Sequence, residues 1–194
     1  MGHARDVRQL SSRIVYENPW MTVREDVVEQ ADGSPGTYGV VDKPDFAVAV
    51  PREDDGFWMV EQHRYPVGRR TLEFPMGGWP AGRSGSPADL ARAELREETG
   101  LRAGRLTRLG HLSTANGFSS QGFDVFLAED LTCGPTDREP SELDMVHRHV
   151  TRAELAELIR TGVVDDATTV AAYGLLLVAE AGGPVVGEAE EERR

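Results

Sequence analysis

The amino-acid sequence predicts an α/β protein of the α+β kind, a mixed β-sheet sandwiched between helices with an N-terminal antiparallel strand region. Three observations predict it. The first half is made of apolar and β-branched runs separated by turn-rich connectors. Capped helical stretches begin at residue 86 and alternate with further strands. One run, Phe46-Ala47-Val48-Ala49-Val50, is apolar at every position, the pattern of a strand covered on both faces.

The elements are taken in chain order. Strands are predicted at 21–28, 38–41, 46–50 and 57–60, with hairpin connectors at 31–36 and 53–56. The first helix starts at Ser86-Pro87, an N-cap followed by proline at the first helical position, and stops at Gly100. Strands at 106–112, 123–128 and 145–150 come next. The second helix has Thr151 as N-cap and Glu154 three residues on, a capping box leading into Leu155, Leu158 and Ile159. The third spans about 166–181 and places Val170, Tyr173, Leu176 and Leu177 on one face.

The 194 residues suit one domain, expected over 14–181, with a flexible N-terminus at 1–13 and a disordered acidic tail at 182–194. No apolar run approaches the roughly 18 to 20 residues of a membrane span. The first ten residues carry charges rather than the apolar block of a secretory signal, and the lone Cys133 has no intrachain partner for a disulfide. A cytoplasmic protein without membrane partners is expected. The net charge of −12 argues against nucleic acid as a partner, because binding a phosphate backbone needs a concentrated basic face. An acidic protein that handles phosphates needs local cations or a bound metal.

The stretch Ala93-Glu94-Leu95-Arg96-Glu97-Glu98-Thr99-Gly100-Leu101 supplies such a place. Glu94, Glu97 and Glu98 stand at i, i+3 and i+4, so their carboxylates share one helix face. Leu90, Ala91, Leu95 and Leu101 anchor that helix to a core. A clustered acidic face suits a hard divalent cation, although a solvated Glu-rich surface has the same pattern. The upstream Glu73-Phe74-Pro75-Met76-Gly77-Gly78 favours the cation, since a short strand entering a glycine turn lets backbone approach a metal or phosphate.

Taken together, residues 77–101 resemble the box of the Nudix hydrolase superfamily. The resemblance implies the Nudix fold, Mg2+ or Mn2+ as cofactor, and hydrolysis of the diphosphate in a nucleoside diphosphate linked to another moiety. It implies Glu94 and Glu98 as metal ligands, Glu97 as a ligand or catalytic base, and the Met76 carbonyl as a further ligand. Two positions depart from the pattern. Gly85 stands where the box has a glutamate and Ala93 where it has an arginine, and the loop from Gly77 is about two residues longer. In the family that pair braces loop and helix, so their joint absence leaves no stranded charge.

Outside the box, Tyr16-Glu17-Asn18-Pro19-Trp20-Met21-Thr22-Val23-Arg24 and Val60-Glu61-Gln62-His63-Arg64-Tyr65 resemble the ADP-ribose pyrophosphatase branch. That branch implies a homodimer paired through N-terminal strands, and ADP-ribose or a related nucleotide sugar as substrate. It also implies a catalytic glutamate on a late loop, for which Glu142 is the first candidate and Glu139 and Asp144 are rivals. An ordinary solvated acidic loop reads the same way. Arg64 is a candidate to hold a phosphate, or else a salt-bridge residue; Trp20 and Phe118 are candidates to stack a base, or else core; Gly77 and Gly78 bring backbone to the substrate. Asn116-Gly117 and Ser120-Gln121 replace the branch's usual Pro-Gly and glutamate, which leaves other nucleotide sugars open. The rival reading is a catalytically impaired Nudix-fold nucleotide-binding or regulatory module.

Overall fold

The computed structural model describes residues 7–80, 82–136 and 144–182. They fall into two compact units: one runs up to Asp45 and includes Ser113–Gly122, the other holds Phe46–Leu112 and continues from Phe123. One domain was expected over 14–181; the chain passes between these two units at 45/46, 112/113 and 122/123.

In the first unit, β1 (Arg8–Asn18), β2 (Met21–Glu29) and β3 (Pro35–Asp42) form an antiparallel sheet in the order β1-β2-β3. The Asn18 carboxamide closes the first turn by accepting from the backbone N–H of Trp20 and Met21, each at 2.9 Å. Strand β1 corrects the expectation of a flexible segment at 1–13, because pairing with β2 already starts at Arg8↔Glu29. Its residues from Arg8 to Glu17 are all exposed, so no burial alternation marks it as a strand. Cross-strand ion pairs support it instead, Arg13 with Glu25 at 2.8 Å and Arg8 with Glu29. The segment Ser113–Gly122 is laced to the end of β3: Val41 N–H donates to the Phe118 carbonyl at 2.8 Å, and Ser120 N–H to the Val41 carbonyl at 3.2 Å.

The second unit is the sandwich. It contains β4 (Phe46–Glu53), β5 (Gly56–Arg64), a 3-10 turn at Tyr65–Val67, β6 (Arg69–Glu73), β7 (Met76–Gly77), α1 (Pro87–Thr99), β8 (Leu101–Ser113), β9 (Gly122–Cys133), β10 (Val146–Thr151), α2 (Arg152–Arg160) and α3 (Ala167–Glu180). The strand order is β10-β5-β4-β9-β8, with β6 added to β5 and β7 to β4. The sheet is mixed because β4 runs parallel to β9 and antiparallel to β5 and β7.

Strand β4 explains the layering. Ala47, Val48, Ala49 and Val50 are each 0% exposed. Alternation sends Ala47 and Ala49 towards Leu90, Ala91 and Leu95 of α1, and Val48 and Val50 towards Leu155, Ala172, Tyr173 and Leu176 of α2 and α3. The small residues lie under the helix that packs closest to the sheet. The helix ends fall where the caps predict, with Ser86 accepting from Asp89 N–H at 3.1 Å and Gly100 left-handed at φ 77°. Thr151 caps α2, but Glu154 does not close the box, since its carboxylate pairs with Arg148 at 2.8 Å. The buried face of α3 is Thr169, Ala172, Tyr173 and Leu176, whereas Val170 and Leu177 are exposed. The expected face is rotated because Thr169 is drawn inward, where its hydroxyl accepts from Phe74 N–H at 3.1 Å. No helix among the described residues is long and apolar enough to cross a membrane.

Candidate active site

Helix α1 is held by Leu90, Ala91 and Leu95, which are at most 4% exposed, and this seating sets the azimuth of its glutamates. Glu98 follows the apolar stripe inward and is 2% exposed. Glu94, one turn earlier, lies against the chain at β7: a Cβ on Gly77 would stand 2.6 Å from the Glu94 carboxylate, so any side chain there would displace that carboxylate. Strand β7 is itself pinned to β4 by the pairs Val48↔Met76 and Ala47↔Gly77. Glu97 turns aside, its carboxylate accepting from Arg96 at 2.7 Å. Among the described residues no three acidic or imidazole side chains converge as a closed cage.

Arg64, at the end of β5, reaches across to Glu73 at the end of β6 and is bound by both its carboxylate oxygens, with Nε contacts of 3.0 and 3.2 Å and an Nη2 contact of 2.5 Å. Glu73 is 3% exposed, so this is a nearly buried carboxylate with a two-pronged partner. Its hydrogen bonds push the Arg64 pKa up; burial opposes this, and the charges of Glu73, Glu98 and Asp166 add to it. Arg64 thus forms a salt bridge with Glu73, a residue that sequence reasoning left without a role. Its signal was available as an acidic residue in an otherwise apolar strand end.

Arg64, Glu73 and Met76 line a cavity of about 370 Å³, together with Val67, Arg69, Thr71 and the Asp165-Asp166-Ala167 entry to α3. Arg69 pairs with Asp165 and lowers its pKa through that hydrogen bond. Asp166 caps α3 by accepting from Thr169 N–H at 2.7 Å.

Residues 42–173 match the NUDIX domain family, and residues 7–41 match the nucleoside diphosphate sugar hydrolase N-terminal domain. The chain belongs to the Nudix family. It is 33% identical over 156 residues to the ADP-ribose pyrophosphatase of Bacillus subtilis (strain 168), covering 79% of this chain and 83% of that protein. It is also 33% identical over 176 residues to the ADP-ribose pyrophosphatase of Mycobacterium tuberculosis (strain ATCC 25618 / H37Rv), covering 89% and 83% respectively. The crystal structure of an ADP compounds hydrolase has the same fold, with a TM-score of 0.82 at 22% identity over 94% of this chain and 98% of that one. This protein is thus a Nudix pyrophosphohydrolase acting on nucleoside diphosphate compounds.

Nudix hydrolases use divalent metals, and the residues present fit one. The cradle at Gly77 seats the Glu94 carboxylate against backbone, and the nearly buried Glu98 lies one helical turn away on the same face. One or two carboxylates completed by substrate phosphates and water is how magnesium is usually held.

The other residues singled out from this Nudix sequence are distributed differently. Trp20 and Phe118 belong to the first unit and are 72% and 57% exposed, so neither is core. Gly78 is exposed beside the cradle. Glu139 and Glu142 lie outside the described residues. Asp144 is tied down, its carboxylate accepting from Arg70 at 2.8 Å while the same guanidinium reaches Glu61 at 2.6 Å.

Proposed function

We propose that this Nudix hydrolase cleaves the diphosphate bridge of ADP-ribose or a related nucleotide sugar with magnesium, or manganese in its place. The observation that carries the reading is the pair Glu94 and Glu98, one carboxylate seated on Gly77 and the other 2% exposed, on one face of an anchored helix. A bound divalent cation supplies neutralisation of the diphosphate charge and Lewis acidity. Glu94 and Glu98 hold that cation, with the Met76 carbonyl as a further ligand, and Gly77 and Gly78 let the substrate approach the backbone. Glu97 or Glu142 takes the proton from the attacking water, and Arg70 leaves Asp144 poorly placed to do so. The cavity beside Met76 suits one end of the substrate, because its Asp165 and Asp166 carboxylates accept hydrogen bonds from sugar hydroxyls. Exposed Trp20 and Phe118 supply faces on which a base stacks. The substrate is small, the −12 charge argues against nucleic acid as a partner, and the exposed free thiol of Cys133 suits the reducing cytoplasm. We propose further that the protein is a homodimer.

The test is a screen of nucleoside diphosphate compounds with magnesium and with manganese, reading phosphate monoester products by chromatography. Turnover of ADP-ribose or nucleotide sugars to two monoesters is expected. Inertness towards every compound with both metals would replace this reading with the impaired binding module.

A further inference from the structure

We propose that Trp79 is a positioning residue of the metal site: its indole closes the loop between Gly77 and α1, replacing the ion-pair brace that Gly85 and Ala93 cannot form. The inference rests on Glu94 and Glu98 being the metal ligands.

Three observations converge on the ring. On one side it packs against the cluster of Ala47, Leu90, Ala91 and Phe126, which joins β4, β9 and the first turns of α1. At the far end of the loop, a Cβ on Gly85 would stand 2.8 Å from the ring's Cζ2 and 3.3 Å from its Cε2, so the indole occupies the space a side chain at 85 would need. Within the loop, the Arg83 guanidinium lies 5.3 Å from the ring centroid, and Arg83 N–H donates to the Pro80 carbonyl at 3.0 Å. The Nε1–H is buried and meets no acceptor among the described residues, so packing rather than hydrogen bonding holds the ring.

One side chain therefore touches the end of the loop and the helix that the loop enters. Gly77, two residues before it, carries the backbone pressed on the Glu94 carboxylate. A glutamate at 85 would need its stem where the indole lies, so the tryptophan in this position and a side chain at 85 exclude each other.

The experiment measures manganese binding by electron paramagnetic resonance, with turnover and circular dichroism alongside, for Trp79→Ala, Trp79→Phe, Gly85→Ala and the Trp79→Phe/Gly85→Ala double substitution. Trp79→Ala should weaken manganese binding about 10- to 100-fold, the usual cost of losing a group that orients a metal ligand. Trp79→Phe should stay within about threefold of wild type, because it keeps a ring and drops only an N–H that meets no acceptor among the described residues. Gly85→Ala should weaken binding in the wild type and do so far less in the Trp79→Phe background, where the ring is shorter. That non-additivity is a readout that general destabilisation does not produce. Should Trp79→Ala fail to fold, the Gly85→Ala pair of measurements decides alone. Simple additivity, or unchanged manganese affinity in folded Trp79→Ala, overturns the proposal. Glu98→Gln serves as the control: if it too binds manganese normally, the ligand assignment fails, whereas its failure to bind beside an unaffected Trp79→Ala condemns only the role of Trp79.

Discussion

Glu98 is a carboxylate from which water is almost excluded, and its charge helps to raise the pKa of Arg64. A divalent cation there removes much of the cost of holding the charge. Glu98→Gln keeps size and shape, so the fold should persist, while turnover should fall by on the order of 10³-fold or more if the metal carries the transition-state charge. Wild-type turnover of the purified variant in saturating magnesium would end the assignment. Gly77→Ala probes the same site from the backbone side. The new methyl would meet the Glu94 carboxylate, the movable end of a side chain, so the carboxylate should shift and the fold should not. Metal affinity should drop roughly tenfold, with unfolding free energy changed by less than about 1 kcal/mol. Titration calorimetry beside thermal unfolding separates the two effects.

At the scale of the element, α1 and α3 are stabilised by different means. Ser86 caps α1 through Asp89 N–H, and Ser86→Ala should cost about 1 kcal/mol in denaturant unfolding. Turnover should stay near wild type, because the cap lies two turns from Glu94. Helix α3 ends in Glu180, which accepts from Arg152 at 2.8 Å and from Arg52 at 2.9 Å and so joins the start of α2 and the end of β4. The hydrogen bond from Arg152 is the main cause of its lowered pKa, against a smaller opposing effect of burial. A folded-state pKa below the unfolded one gives stability that is present above the ordinary glutamate range and lost as pH falls through the folded value. The destabilisation caused by Glu180→Gln should thus be complete at pH 7 and fade at pH values below about 4. A difference in melting temperature independent of pH would show that the ion pairs contribute nothing.

For the whole molecule the open question is assembly. Strand β1 is the edge of its sheet and exposes Leu10, Ile14, Val15 and Tyr16, each between 48% and 61%. An edge strand with an apolar row invites pairing with another chain, and a second copy is the partner expected. Light scattering at micromolar concentration should give twice the chain mass, and Ile14→Asp should shift it towards the monomer. A monomeric wild type would count against the homodimer and against the resemblance to the branch that pairs in this way.

The sequence by itself determined the features that local rules govern. Ser86-Pro87 and Gly100 bound α1 through backbone conformation; the i, i+4 spacing places Glu94 and Glu98 together; and the unbroken apolar run of β4 demands cover on both faces. Those features locate the candidate metal helix without any tertiary information. Only the tertiary structure decided the rest, because it depends on register and on which side chain fills which space. Arg64 meets Glu73 although the β5–β6 register sets Glu73 opposite Val60 and Arg64 opposite Arg69, because the long guanidinium side chain reaches back along the ladder to the carboxylate. Glu97 pairs with Arg96, and Thr169 rotates the buried face of α3 inward to meet the Phe74 amide. Strand β1 has no burial pattern to reveal it, and Gly85 reads as a missing glutamate until the indole of Trp79 is seen standing where its side chain would be.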